Sequence, residues 1–140
     1  MKITAKCYYA LIASVELAGS YGKGPVRAAK IAEIHGIPVR FLELILNDLK
    51  SAEIVESKRG VDGGFSLKSL PAEIRVYDIF KAIDGELIMI DCEKVSAGEC
   101  MLKEYMHGLR AVIYDYLHNT TLAELAESCR NGGNGLNYVI

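Results

Sequence analysis

The spacing of apolar residues along this chain changes period twice, and that restricts its fold more than any other feature. Up to Lys50 the apolar residues recur in threes and fours. Between Ile54 and Lys68 they alternate, and from Val76 the longer spacing returns. The first spacing gathers side chains on one face of an α-helix, and the second gathers them on one face of a strand. Tyr8, Leu11, Ile12 and Val15 predict a helix over Thr4–Ala18, closed by the breaker-rich stretch Gly19–Pro25. A short helix is expected over Ala28–His35, with Ile31 and Ala32 inward. Gly36 stands where the chain reverses sharply, and Pro38 suits the first turn of a third helix, where its missing N–H has no partner anyway. That helix runs to about Lys50 and buries Leu42, Ile45, Leu46 and Leu49.

The alternating stretch reads as a hairpin: Ile54–Lys58, a glycine-rich turn over Arg59–Gly64, and a return strand Phe65–Lys68. Three helices followed by a two-stranded hairpin is the order of a winged helix-turn-helix. Pro71 opens a new segment, and Val76, Ile79, Phe80 and Ile83 mark another helix before Asp84-Gly85 ends it. Residues 86–99 have no sustained period. Leu102, Tyr105, Met106, Leu109, Val112, Ile113, Tyr116 and Leu117 then follow helical spacing for four turns. A stripe of that length after a finished core needs a partner surface, and a second copy of the chain is the natural one. Leu102, Tyr105, Leu109, Val112, Ile113 and Tyr116 are therefore the expected dimer contacts. Thr121-Leu122-Ala123-Glu124 has the capping-box pattern of a last short helix. The expected fold is mainly α with a small β-hairpin wing and a long C-terminal dimerisation helix. Its divisions are a DNA-binding domain over 1–84, a sensor or linker loop over 85–100, the dimerisation and terminal helices over 101–130, and a flexible tail over 131–140.

Charge separates along the chain in the same way. Residues 1–68 carry a net +3 and residues 69–140 a net −5, although the whole chain is −2. The first half is suited to meet an anion. No run approaches the roughly 20 apolar residues of a membrane helix, and Lys2, Lys6 and Glu16 interrupt the apolar start. A soluble cytoplasmic protein that contacts no membrane is expected. With its buried stripe turned inward, the third helix leaves Val39, Arg40, Glu43 and Asn47 facing out. In a major groove Arg40 would bond guanine bidentately, Glu43 would accept from cytosine N4, and Asn47 would bond a base or a phosphate. Leu44 would either cover a thymine methyl or complete the core. Lys58 and Arg59, at the tip of the hairpin, are expected on phosphates or in the minor groove. Arg27, at the start of the second helix, joins them as a candidate DNA contact.

Several local motifs then resemble one family. They are Met1-Lys2-Ile3-Thr4-Ala5-Lys6 with Tyr9-Ala10-Leu11, Ile31-Ala32-Glu33 with Gly36-Ile37, and Phe41-Leu42-Glu43. Arg59-Gly60 with Gly63-Gly64-Phe65-Ser66-Leu67, Val76-Tyr77-Asp78-Ile79 and Thr121-Leu122 follow. In that order and at that spacing, over residues 1–126, they resemble the Rrf2 family of transcriptional regulators. The resemblance implies a homodimer that binds double-stranded DNA as repressor or activator. It also raises an iron–sulfur cluster, which several members hold on three loop cysteines before the dimer helix, with a fourth ligand that varies and that in some members comes from the partner's first helix. Here Cys100 matches the last family cysteine, Cys92 is eight residues upstream instead of six, and the third cysteine is missing. Cys7 in the first helix would be the partner-supplied ligand.

Three readings of the thiols stand side by side: cluster ligands Cys92, Cys100 and Cys7, a redox-active pair Cys92 and Cys100, or no cofactor. For Cys7 and Cys129 the competing reading is a small buried apolar group. Against the DNA-binding regulator stands a winged helix used as a protein-interaction module, with the acidic half docking a partner enzyme. An enzyme is disfavoured, because His35, His107 and His118 are scattered and give no cysteine a base with its orienting group.

Overall fold

Leu42, Ile45, Leu46 and Leu49 point from helix α3 (Val39–Ser51) into the centre of the molecule, where all four are fully buried. The computed structural model describes residues 3–87 and 102–132. Around α3 lie α1 (Ala5–Gly19), α2 (Ala28–His35) and α4 (Val76–Asp84). The hairpin of β1 (Val55–Lys58) and β2 (Gly64–Leu67) is antiparallel, with Val55 opposite Leu67 and Lys58 opposite Gly64. A single 3-10 turn, Pro71–Glu73, leads into α4, and α5 (Lys103–Asn119) and α6 (Leu122–Arg130) follow. The winged helix-turn-helix order read from the apolar spacing is the observed one.

The turn between α2 and α3 is made by Gly36, whose φ of +64° lets its N–H cap Ala32 at the helix end. A residue with a Cβ would hold that left-handed conformation at a cost. Pro38 sits just before the first helical residue, and its carbonyl accepts the Leu42 N–H at 3.0 Å.

The stripe expected on α1 is rotated from its predicted position. Cys7, Ala10, Ala13, Ser14 and Leu17 form the buried face, whereas Tyr8 is 59% exposed and Leu11, Ile12 and Val15 are only half-buried. Small side chains allow α1 to approach the rest of the core closely, and the larger residues form its shoulders. Apolar size alone chose the wrong face. Ser14 enters the core without penalty because its hydroxyl donates to the Ala10 carbonyl at 2.7 Å.

Two further contacts join segments far apart in the chain, where local periodicity carries no signal. Val26 pairs with Phe65 through two hydrogen bonds of 2.8 Å and adds a one-residue third strand to the hairpin. α6 returns to the first core: Leu122 is fully buried among its residues, and Leu122 N–H donates to Ile74 O at 2.8 Å. The expected boundary after residue 84 is therefore not a packing boundary. Loop 85–100 and tail 131–140 fall largely outside the described residues.

α5 leans on α4 through Tyr77 and Tyr114, whose rings meet edge to face with centroids 4.7 Å apart, and Arg110 Nε donates to Leu87 O at 2.7 Å. The broad apolar stripe of α5 splits along its length. Met106, Ile113 and Leu117 are half-buried. Leu102, Tyr105, Leu109, Val112 and Tyr116 form an exposed row, with Tyr105 74% and Val112 68% accessible.

Candidate nucleic-acid interface

Burial of one face of α3 fixes what its other face offers. Val39, Arg40, Glu43, Leu44 and Asn47 are all exposed, at the spacing of a single helical surface. Leu44 is 61% accessible, so it does not complete the core and shares this surface with the charged residues. Lys6 pairs with Asp48 at 2.6 Å and ties α1 to the flank of α3. Lys50 Nζ donates to Ser57 Oγ at 2.6 Å and ties the end of α3 to the wing.

The wing carries Lys58 and Arg59 exposed at its tip, with Val61 beyond them. Its turn depends on glycine at two places. A Cβ on Gly63 would clash with the Lys58 carbonyl, and one on Gly64 would lie 2.5 Å from Val26 O. The Gly63 N–H donates to Gly60 O at 3.0 Å across the turn. Arg27, a candidate DNA contact, directs its guanidinium to the wing: Nη2 donates to Gly60 O at 3.3 Å and to Val61 O at 2.5 Å. Neither contact was legible in the sequence, because 33 and 34 residues separate the partners.

The thiols fare differently. Cys92 and Cys100 lie outside the described residues. Cys7 is fully buried on the inner face of α1, and burial, then the neighbouring Asp84 carboxylate, pushes its thiol up to about 12. A metal ligand must reach the metal, and Cys7 has no exposed surface in the single chain, so the buried apolar reading of this residue fits it better than the ligand expected from the first helix of a partner. For Cys129 that reading is corrected: near the end of α6 it is exposed. Among the described residues, no group of three or more His, Cys, Asp or Glu is placed to hold a metal ion.

At the far end of α4, Glu86 fixes the start of the segment leading to Cys92. Its carboxylate accepts from Tyr77 OH at 2.8 Å and pairs with Lys81 at 2.9 Å. The Lys81 bond, then the Tyr77 bond, hold the Glu86 carboxyl below its usual range, and the same carboxylate raises the Tyr77 hydroxyl.

Comparison with known proteins agrees with this geometry. Residues 3–128 match the Rrf2 family, described as iron-dependent transcriptional regulators. The HTH-type transcriptional regulator IscR of Sodalis glossinidius is 34% identical over 132 residues, covering 91% of this chain and 80% of its own. The HTH-type transcriptional regulator CymR of Bacillus subtilis is 32% identical over 126 residues, covering 90% of each chain. The solved structure of CymR, the global cysteine regulator of B. subtilis, superposes with a TM-score of 0.81. It is 29% identical and covers 91% of this chain and 97% of its own. Such relatives are regulators and not enzymes, and among the described residues no helix is long and apolar enough to cross a membrane. With a winged helix-turn-helix whose exposed α3 surface adjoins a basic wing, the chain belongs to the Rrf2 family of DNA-binding transcriptional regulators.

Proposed function

We propose that the chain is a cytoplasmic, homodimeric, sequence-specific regulator whose α3 enters the major groove while its wing grips the adjacent backbone. The observation that carries this reading is the exposed surface of Arg40, Glu43, Leu44 and Asn47, beside Lys58 and Arg59. Arg40, Glu43 and Asn47 read base edges, Leu44 and Val39 offer apolar surface to thymine methyls, and Lys58 and Arg59 hold phosphates. Two copies are joined along the exposed row of α5. Beside it, an apolar groove of about 500 Å³, lined by Ile3, Leu11, Phe80, Val112, Tyr116 and Leu125 among others, gives the partner's α5 a seat.

The test is an anisotropy titration of the full chain on a duplex selected for tight binding and on random duplex, at several salt concentrations. Arg40→Ala is expected to lose about 1–3 kcal/mol on the selected site and little on random DNA. Arg59→Ala should weaken both alike and lower the salt slope by about 1 for each phosphate contact removed. If neither duplex is bound, the protein-interaction reading takes its place.

Sensing rests on Cys92 and Cys100 without Cys7. Both lie in the sequence between Glu86, anchored to α4, and Leu102 at the head of α5. A bond between these thiols, or a ligand on them, would constrain the connection between the DNA-binding helices and the proposed dimer helix. Cys92→Ala and Cys100→Ala are then expected to abolish the same difference in DNA affinity between oxidised and reduced protein. A visible spectrum and iron analysis after anaerobic purification decide between a cluster and a thiol pair. Colourless protein with redox-independent binding removes both.

A further inference from the structure

We propose that Arg27 is a positioning residue for the wing: its guanidinium clamps the β1–β2 turn so that Lys58 and Arg59 meet DNA in one geometry, and it contacts no phosphate itself. The proposal rests on the wing reading above. Three observations carry it. The guanidinium is committed to the wing, with Nη2 donating to the carbonyls of both Gly60 and Val61. The base of the clamp is rigid, because Arg27 caps α2, its carbonyl accepts the Lys30 N–H at 3.0 Å, and the preceding Val26 is paired with Phe65. The clamped segment is glycine-rich: Gly60 has a φ of +108°, and Gly63 and Gly64 follow within four residues.

A turn with that much glycine samples many conformations unless something holds it. Without a clamp, ordering the tip would fall on the binding step, and affinity would drop even though every DNA-contacting residue remained. Arg27 shifts that ordering to the folded protein. Both hydrogen bonds leave one nitrogen, Nη2, whose two N–H groups reach the neighbouring carbonyls. The same two carbonyls mark the turn between Arg59 and Val61, so the clamp acts next to the residue it positions.

The experiment has one arm without DNA and one with it. Trypsin cleaves after Lys58 and Arg59, so the rate at which fragments ending at these residues form reports how often the wing opens. In the free full-length protein, Arg27→Ala is expected to speed that cleavage several-fold. A direct phosphate contact would leave it unchanged. On random duplex, Arg27→Ala is expected to weaken binding by about tenfold, the scale of one charge-assisted hydrogen bond. In a Lys58→Ala/Arg59→Ala background the same change should cost less than about twofold, since no wing contact is left to position.

Unchanged trypsin cleavage overturns the clamp. So does a full tenfold loss in the background lacking both wing cations, accompanied by a lower salt slope, because that is the signature of a phosphate contact. If Lys58→Ala/Arg59→Ala binds DNA as well as the wild type, the wing reading itself fails and takes the clamp's role in DNA binding with it. Should Arg27→Ala lower the thermal midpoint, Arg27→Met serves in its place. It keeps the long stem and removes the donors, so it is expected to behave like alanine. Wing cleavage by trypsin at the wild-type rate in that variant would refute the proposal.

Discussion

Replacing Gly64 by alanine tests how closely the wing is joined to the helical core. A Cβ there would lie 2.5 Å from Val26 O, 2.6 Å from Val26 C and 2.9 Å from Arg27 N, all backbone atoms. None of them is the end of a flexible side chain, so β2 must move away from Val26. The two Val26–Phe65 hydrogen bonds of 2.8 Å then break, at about 1 kcal/mol each. Gly64 also has a φ of +147°, a region L side chains rarely adopt, which adds about 1–2 kcal/mol. The lower chain entropy of unfolded alanine returns about 0.4–1 kcal/mol. The net cost is about 3 kcal/mol, or about 10 °C in thermal midpoint for a chain of this size. Gly60→Ala is the internal control: its φ is +108° but a Cβ there meets nothing within 4 Å, so only the conformational part should appear. Urea and thermal unfolding measure both variants, and amide exchange of Val26 and Phe65 locates the damage. If Gly64→Ala and Gly60→Ala cost the same and the Val26 and Phe65 amides stay protected, the close approach is not what holds the wing in place.

Four other outcomes are expected. Val112→Glu should leave the fold of the single chain intact, because Val112 is exposed there, yet convert the proposed dimer to monomers by placing an unpaired carboxylate in its proposed α5 seam; sedimentation of an intact dimer would move the interface off this row. Leu44→Ala should weaken binding to a thymine-containing site and not to one with uracil at the contacted position, and equal losses on both would mean that the thymine methyl is not what it touches. Cys7 should resist alkylation in the native protein while Cys129 reacts, since only the latter is exposed. Its folded pKa of about 12 lies above the usual 9.0, so the buried thiol contributes stability that is complete below pH 9. That contribution falls by about 1.4 kcal/mol per pH unit from there to about 12, as the unfolded chain alone releases the proton. Cys7→Ala should flatten that alkaline slope, and an unchanged slope would show that the thiol does not carry it.

The order of elements could be read from the sequence because it depends on local periodicity. α3 shows this most clearly: Leu42, Ile45, Leu46 and Leu49 dominate their helix so strongly that only one rotation buries them, and that rotation exposes Arg40, Glu43 and Asn47. The Thr121 cap of α6 was equally plain, since both of its hydrogen bonds lie within four residues. Wherever the outcome depended on what packs from far along the chain, local pattern was silent or misleading. On α1 the residues that go inward are those small enough for close approach, so Ala10 and Ala13 are buried while Tyr8 is not. Leu122 belongs to the first core although it follows the long helix. Arg27 carries the charge of a DNA contact, but two carbonyls more than 30 residues away take its guanidinium. Periodicity determines which face a segment would bury, and only the approach of distant segments decides which face is buried and where each charge is spent.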